Sequence, residues 1–378
     1  MSDVTQFHNL SHIFISLIGA VLLIAIYYNI RRRFRKKLNE GDSQNRVDKG
    51  LLHLSLALFI WVAAGIWAFL GQQYAFSDSW TYQIGVNLLS IGNSAFLLFA
   101  LSYFTHAPEF ISNNKKNVKL IVALIAIITL VTLGISYGLG YVNMNGIKIM
   151  AFPDLVLSAF ICYLLLISLY KTFSHNNLKV VAIISVVMVF LLFISQLPEV
   201  FVALNDDFNY SLIRIIAKSS LISLFLLLAT TWVINLANTP DVKEIKIKFT
   251  DWSIVHLNIP SKEIINQRID FGSKTTQYKN LLKMAIRRKY GSGEQQGILV
   301  NSVGEIKNQS YLSRIIDNIN QILNLKEEAQ LERRDLFVFL GESKYRLRIL
   351  PELIEIEPNL LQEFNKNPEN SPYLKLCN

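Results

Sequence analysis

The stretch LSHIFISLIGAVLLIAIYYNI at residues 10–30, followed at once by RRRFRKK at residues 31–37, decides how the rest of the chain is read. An uninterrupted apolar run of about 20 residues is what a helix needs to cross ~30 Å of hydrocarbon. The Arg and Lys block at its end marks the cytoplasmic side of a membrane. Working outward, further runs of the same kind lie at 51–71, 82–104, 118–140, 151–170, 180–203 and 211–236, and none follows in 237–378.

Seven crossings put the two ends of the chain on opposite sides. The loops after the first, third and fifth runs hold Arg31, Arg32, Arg33, Arg35, Lys36, Lys37, Arg46, Lys49, Lys115, Lys116, Lys119, Lys171 and Lys179, whereas the opposite loops and the N-terminal segment hold only Lys148. That bias fixes the N-terminus outside and residues 237–378 in the cytosol.

Composition agrees, with 52% hydrophobic residues and only 17% charged ones, too few charges for a soluble chain of this length. The net charge of +9 divides unevenly, with 16 Lys and Arg against 10 Asp and Glu in 1–236, and 21 against 18 in 237–378. The basic excess is therefore mostly topogenic, close to anionic headgroups, and is not the footprint of a nucleic-acid binder. Cys162 lies within the fifth run and Cys377 at the far end of the chain, so no disulfide framework is expected. The first run lacks a small-residue cleavage site and reads as a retained signal-anchor.

Polar residues inside spans are costly and face the bundle interior or a wet cavity. Gln83, Asn87, Ser90 and Ser94 recur at helical spacing along one face of the third span. They read either as interhelical hydrogen-bond glue or as a pocket wall. Asp154 opens the fifth span, Glu199 sits beside Pro198 near the outer end of the sixth, and Arg214 and Lys218 lie one turn apart in the seventh. A pair between Glu199 and Arg214 or Lys218 is the first expectation, and these charges are candidates for an outward-facing ligand pocket with Asp154, Gln83 and Asn87. His8 and His12 share a helix face but lack a third ligand, so no metal site is assigned. Transport is the competing function, although the spans show none of the repeated halves common in transporters.

The cytosolic part carries no P-loop, no Gly-rich nucleotide box and no Cys/His cluster, and its one histidine, His256, sits in an alternating strand-like segment. It is not read as an enzyme, and no cofactor is implied. Strands are predicted at Lys246–Phe249, Ile254–Ile259 and Ile265–Phe271, helices at Thr275–Tyr290 and Ser310–Leu325, and a hairpin from Leu336–Leu340 and Tyr345–Ile349 around Gly341, Glu342 and Ser343. Residues 297–304 read as a strand, and 351–378 as a polar tail that packs little.

The seven-span order ahead of a cytosolic module resembles, in topology alone, the sensory membrane halves of bacterial seven-helix signalling proteins, including certain sensor histidine kinases. The order of elements in 246–349 is similar to the winged helix that ends two-component response regulators and some membrane-tethered transcription activators. Residues 341–347 resemble its closing wing strand, and 311–324 lie where its recognition helix would. The resemblance implies DNA or protein contacts through Arg287, Arg288, Lys289, Arg314, Lys344, Arg346 and Arg348. The strand-like 297–304, where that family has a supporting helix, departs from the pattern.

The chain is thus expected to be an all-α polytopic membrane bundle of seven transmembrane helices (1–236), N-out and C-in, then a linker (237–245). A small α+β winged-helix-like cytosolic domain (246–350) and the polar tail (351–378) complete it. The expected role is a receptor or signal transducer of a bacterial-type inner membrane, the alternative a transporter or pore with a regulatory tail. The expected partners are the lipid bilayer, an external ligand, and a cytosolic protein or DNA, with a homodimer left open.

Overall fold

A computed structural model describes residues 2–40, 46–77, 79–104, 107–112, 115–139, 152–176, 178–201, 207–326, 329–341 and 343–377. The chain divides into two compact units, the first Met1–Arg35 with Gln44–Val233, the second Lys36–Ser43 with Ile234–Asn378.

The elements of the first unit among its described residues are helices: α1 (Ser2–Arg33), α3 (Val47–Gln73), α4 (Trp80–Leu101), the single turn α5 (Glu109–Ser112), α6 (Lys115–Leu139), α7 (Phe152–His175), α8 (Lys179–Ile194), the single turn α9 (Leu197–Val200) and α10 (Asp207–Asn238), whose last turn belongs to the second unit. The short helix α2 (Arg35–Glu40) follows α1. Six of these helices are long and apolar enough to cross a membrane, which makes the chain a multi-pass membrane protein.

The seventh expected crossing, 180–203, does not form as one helix of that length. Here α8 stops after 16 residues, about 24 Å at 1.5 Å per residue and short of ~30 Å of hydrocarbon. Its end bends at Ser195 and Gln196, and Pro198 then occupies the first turn of α9. Proline has no N–H to continue the ladder and is accommodated where a helix starts anew.

Small residues let the helices approach. A Cβ on Gly19 would lie 2.5 Å from a side-chain carbon of Ile222, so α1 and α10 meet at contact distance there. On Gly65 it would lie 2.7 Å from Ile13 and 2.9 Å from His12, joining α1 to α3. Close backbone approach at small residues is how helices gain packing energy in lipid, where no hydrophobic force drives them together. Ser55 adds a hydrogen bond to the carbonyl of Ala20 at 3.0 Å.

The second unit is α+β. Strands β1 (Lys246–Asp251), β2 (Ile254–Ile259) and β3 (Ile264–Asp270) form an antiparallel meander. Then come α11 (Thr275–Tyr290), β4 (Ile298–Leu299), α12 (Ser310–Ile322), the one-turn α13 (Arg333–Leu336) and the hairpin β5 (Phe337–Gly341) and β6 (Lys344–Leu347). Residues 297–304, expected to be a strand, supply only the two-residue β4, which pairs with β6 to give the order β4-β6-β5. The helix α11 buries Leu281, Leu282, Ala285 and Ile286, and α12 buries Leu312, Ile315, Ile316 and Ile319, all in one core with Phe249, Leu257 and Ile269 of the meander. Asn320 pins the loop behind α12 by bonding both the N–H and the carbonyl of Leu331.

Residues 351–378, expected to pack little, complete this core instead. Strand β7 (Ile354–Ile356) pairs parallel with β1 and gives the sheet order β3-β2-β1-β7. It is followed by α14 (Pro358–Lys366), which buries Leu360 and Phe364, and α15 (Ser371–Cys377), which buries Tyr373. The polar composition reflects the outer faces of two short amphipathic helices.

Within this unit the end of α10 is held by two side chains. Lys37 donates to the carbonyls of Leu236 at 3.0 Å and of Thr239, capping peptide groups that a helix C-terminus leaves without partners. Arg334 donates to Asn235 Oδ1 at 3.1 Å and also pairs with Glu332.

Candidate functional site

The first unit holds an open cavity of about 280 Å³ whose walls come from α1, α3, α4, α7, α8 and α10 and the bend after α8. It lies beside the helix ends where α4, α7 and α10 begin. One wall is acidic and hydroxylic, with Asp154 and Ser158 from α7 and Ser90, Asn93 and Ser94 from α4. Ser90 donates a hydrogen bond to Asp154 Oδ1. The other wall is basic, with Arg214 and Lys218 from α10 and His12 from α1.

Arg214 Nη2 donates to the carbonyl of Ser195 at 2.8 Å. That carbonyl stands in the bend created by the early end of α8, so the shortened helix provides the acceptor. Lys218 Nζ lies 2.6 Å from His12 Nε2. An ammonium group can only donate, so the imidazole accepts at Nε2 and keeps its proton on Nδ1. The ammonium also stands 5.2 Å from the centre of the Trp61 ring, within reach of a cation–π attraction. Trp61, Trp67 and Tyr82 line the space between the polar walls. Trp67 stacks on Tyr82, with ring centroids 6.3 Å apart, and donates to that residue's carbonyl at 3.1 Å.

Of the residues selected from sequence, Asp154, Arg214 and Lys218 come together at this cavity, whereas Gln83 and Asn87 do not line it. Asn87 is buried and donates to the carbonyl of Gln83 at 2.8 Å within its own helix. The stripe on α4 therefore divides, its first half bonding internally and its second half, Ser90 and Ser94, facing the cavity. The side chains of Glu199 and His8 lie outside the described residues, and with them the expected Glu199 pair.

Trp61 and Ser195 escaped the sequence reading, in which His12 stands only as a candidate metal ligand. A search for polar intrusions passes over an aromatic residue in an apolar run. The available signal was Trp61 with Gly65 one turn later, a large residue beside a small one on the same helix face.

In the second unit the basic candidates are mostly taken up by the fold. Arg287 pairs with Glu305 and stacks 5.2 Å over the ring of Tyr373, which itself donates to Glu305. Arg288 is buried and donates to the carbonyl of Ile349 at 2.8 Å. Burial, with Arg346 nearby and Glu352 opposing, draws its pKa down to about 10. Lys289 donates to the carbonyl of Ile354 at 2.7 Å. Arg348 is buried, Arg346 is half-buried on β6, and Lys344 reaches Glu294 at 4.0 Å. Arg314 is exposed, packed 5.4 Å over Tyr311. Among the described residues no group of three or more metal-ligating side chains occurs. Comparison with protein-family models, with curated proteins and with solved structures finds no match to this chain.

Proposed function

We propose that this chain is a membrane receptor of bacterial type, in which occupancy of the cavity biases the helix bundle and the second unit reports that bias to a cytosolic protein. One observation carries the reading. The helix α10 places Arg214 and Lys218 on the cavity wall and continues unbroken to Asn238, where its last turn is gripped by Lys37 and Arg334. On the orientation set by the loop charges, the cavity lies in the outer half of the bundle and the grip on the cytoplasmic side. A helix that rotates or slides by a fraction of a turn at one end does so at the other.

A winged-helix-like output is supported by the sequence of α11, β4, α12, α13 and hairpin, with β4 against the second hairpin strand. A protein partner is favoured over DNA by α12, the helix at the recognition position. Its one basic residue, Arg314, packs over Tyr311 and is offset by Asp317 in the same helix, and DNA affinity depends on phosphate neutralisation by Lys and Arg.

The test uses the full-length protein in lipid nanodiscs. Filling the cavity with Ser94→Trp is expected to change amide hydrogen exchange in β5 and β6, with duplex DNA binding at physiological salt remaining at about 10⁻⁴ M or weaker. Unchanged exchange together with solute flux across sealed proteoliposomes would establish the transporter alternative instead.

A further inference from the structure

The cavity is polarised. Among the described lining residues the acid, Asp154 on α7, stands with Ser90 on α4, while the bases, Arg214 and Lys218 on α10, stand with His12 on α1. Each side already makes contacts of its own, so a ligand must offer something that suits both. An ion of one sign suits one wall and meets like charge at the other, an arrangement that discriminates strongly against it. A molecule carrying both signs replaces the contacts on each wall with charge-assisted hydrogen bonds. The space of about 280 Å³ lies just below the usual range of ligand pockets, ~300 to 1,000 Å³, which fits a single small metabolite. Trp61, Trp67 and Val86 give an apolar body somewhere to pack.

We infer that the cavity binds a small zwitterion of the amino-acid class, its ammonium toward Asp154 and Ser90 and its carboxylate toward Arg214 and Lys218. The inference rests on the receptor reading and names the ligand class of that same site.

The experiment titrates full-length protein in nanodiscs with each natural L-amino acid, reading tryptophan fluorescence and thermal unfolding. For the amino acid that binds best, the decarboxylated amine and the deaminated acid are titrated too. At least one amino acid should saturate, with both analogues weaker by about tenfold or more, the loss of one charge-assisted hydrogen bond. Asp154→Asn should erase the preference over the deaminated acid, and Lys218→Gln the preference over the amine. Lys218→Arg, which keeps the charge, controls for misfolding and should retain the wild-type pattern. An analogue that binds as tightly as its amino acid would overturn the zwitterion assignment and leave the receptor reading standing, and so would saturation by no amino acid. The receptor reading falls separately, on the Ser94→Trp exchange experiment.

Discussion

The two units of this protein differ in the apolar side chains they leave exposed. On α6, Leu120, Leu124, Ile127 and Val131 stand exposed, Leu120 to 67%. Among the described residues between 246 and 377 the large apolar side chains left exposed are only Ile265, Val303, Leu340 and Leu374. Meanwhile the first unit encloses Ser16, Ser55, Ser168 and Ser185. The difference teaches that exposure of an apolar side chain has no fixed meaning. It is a defect against water and the normal condition against hydrocarbon, where helices cohere by close packing and a few hydrogen bonds. In the second unit the water-driven core does the work.

The sharpest way to break the comparison is to remove one large side chain from each unit. Phe249→Ala, at a fully buried position against Tyr278, should destabilise the second unit by about 3–5 kcal/mol. Leu124→Ala should cost less than about 1 kcal/mol, because little protein contact is lost at a half-exposed site. Denaturant titration of the full-length protein, followed by hydrogen exchange in each unit, measures both. An equal cost at Leu124 would mean that α6 has a protein neighbour there.

Next in size is charge on the lipid-facing side. Ile127→Asp, near the middle of the span Lys116–Ile135, should lower insertion by about 2.5–3.5 kcal/mol in a translocation assay. Normal insertion would remove α6 from the set of crossing helices.

A buried acid in the second unit supplies a smaller, pH-dependent effect. Asp335 is 1% exposed, accepts from the Glu332 N–H at 2.8 Å and faces Lys262 at 3.7 Å. Burial raises its pKa above the ordinary value, with the hydrogen bond and Lys262 opposing. A raised folded pKa adds stability that is complete below the unfolded value, near ~3.9, and is lost as pH rises through the folded one. Asp335→Asn should therefore cost about 1–2 kcal/mol at pH 7, from the weakened cap, and more at pH 4. A deficit that shrinks on acidification would reverse the sign of the argument. The smallest effect is expected at Val303, exposed to 81%, where Val303→Asp should stay within about 0.5 kcal/mol of wild type by the same titration.

Much of the fold was legible because its signals are local. Apolar length gave the crossing helices, and a glycine turn between alternating runs gave the hairpin. The sixth run forms a shorter helix than expected because length was counted through Pro198, whose effect on α8 depends on where the helix must end. The C-terminal segment was misread from composition, although Ile354 and Ile356 alternate and Leu360 and Phe364 stand one turn apart. Asp154, Arg214 and Lys218 announced themselves as charges in apolar surroundings. The partners of the two bases, the imidazole of His12 for Lys218 and the carbonyl of Ser195 for Arg214, could not be read, since backbone groups have no letter in the sequence and His12 pairs with a residue some two hundred positions away.

The pairing of Ile247 with Ile354 also orders events in time. Synthesis delivers the meander β1-β2-β3 long before β7 exists, so β1 waits as an open strand edge, a template for wrong partners. Closing that edge requires bringing together distant parts of the chain, an entropic cost met before any contact repays it. The second unit should therefore be the slow folder of the two, its sheet completed only after everything it brackets, from α11 to the hairpin, has already been made.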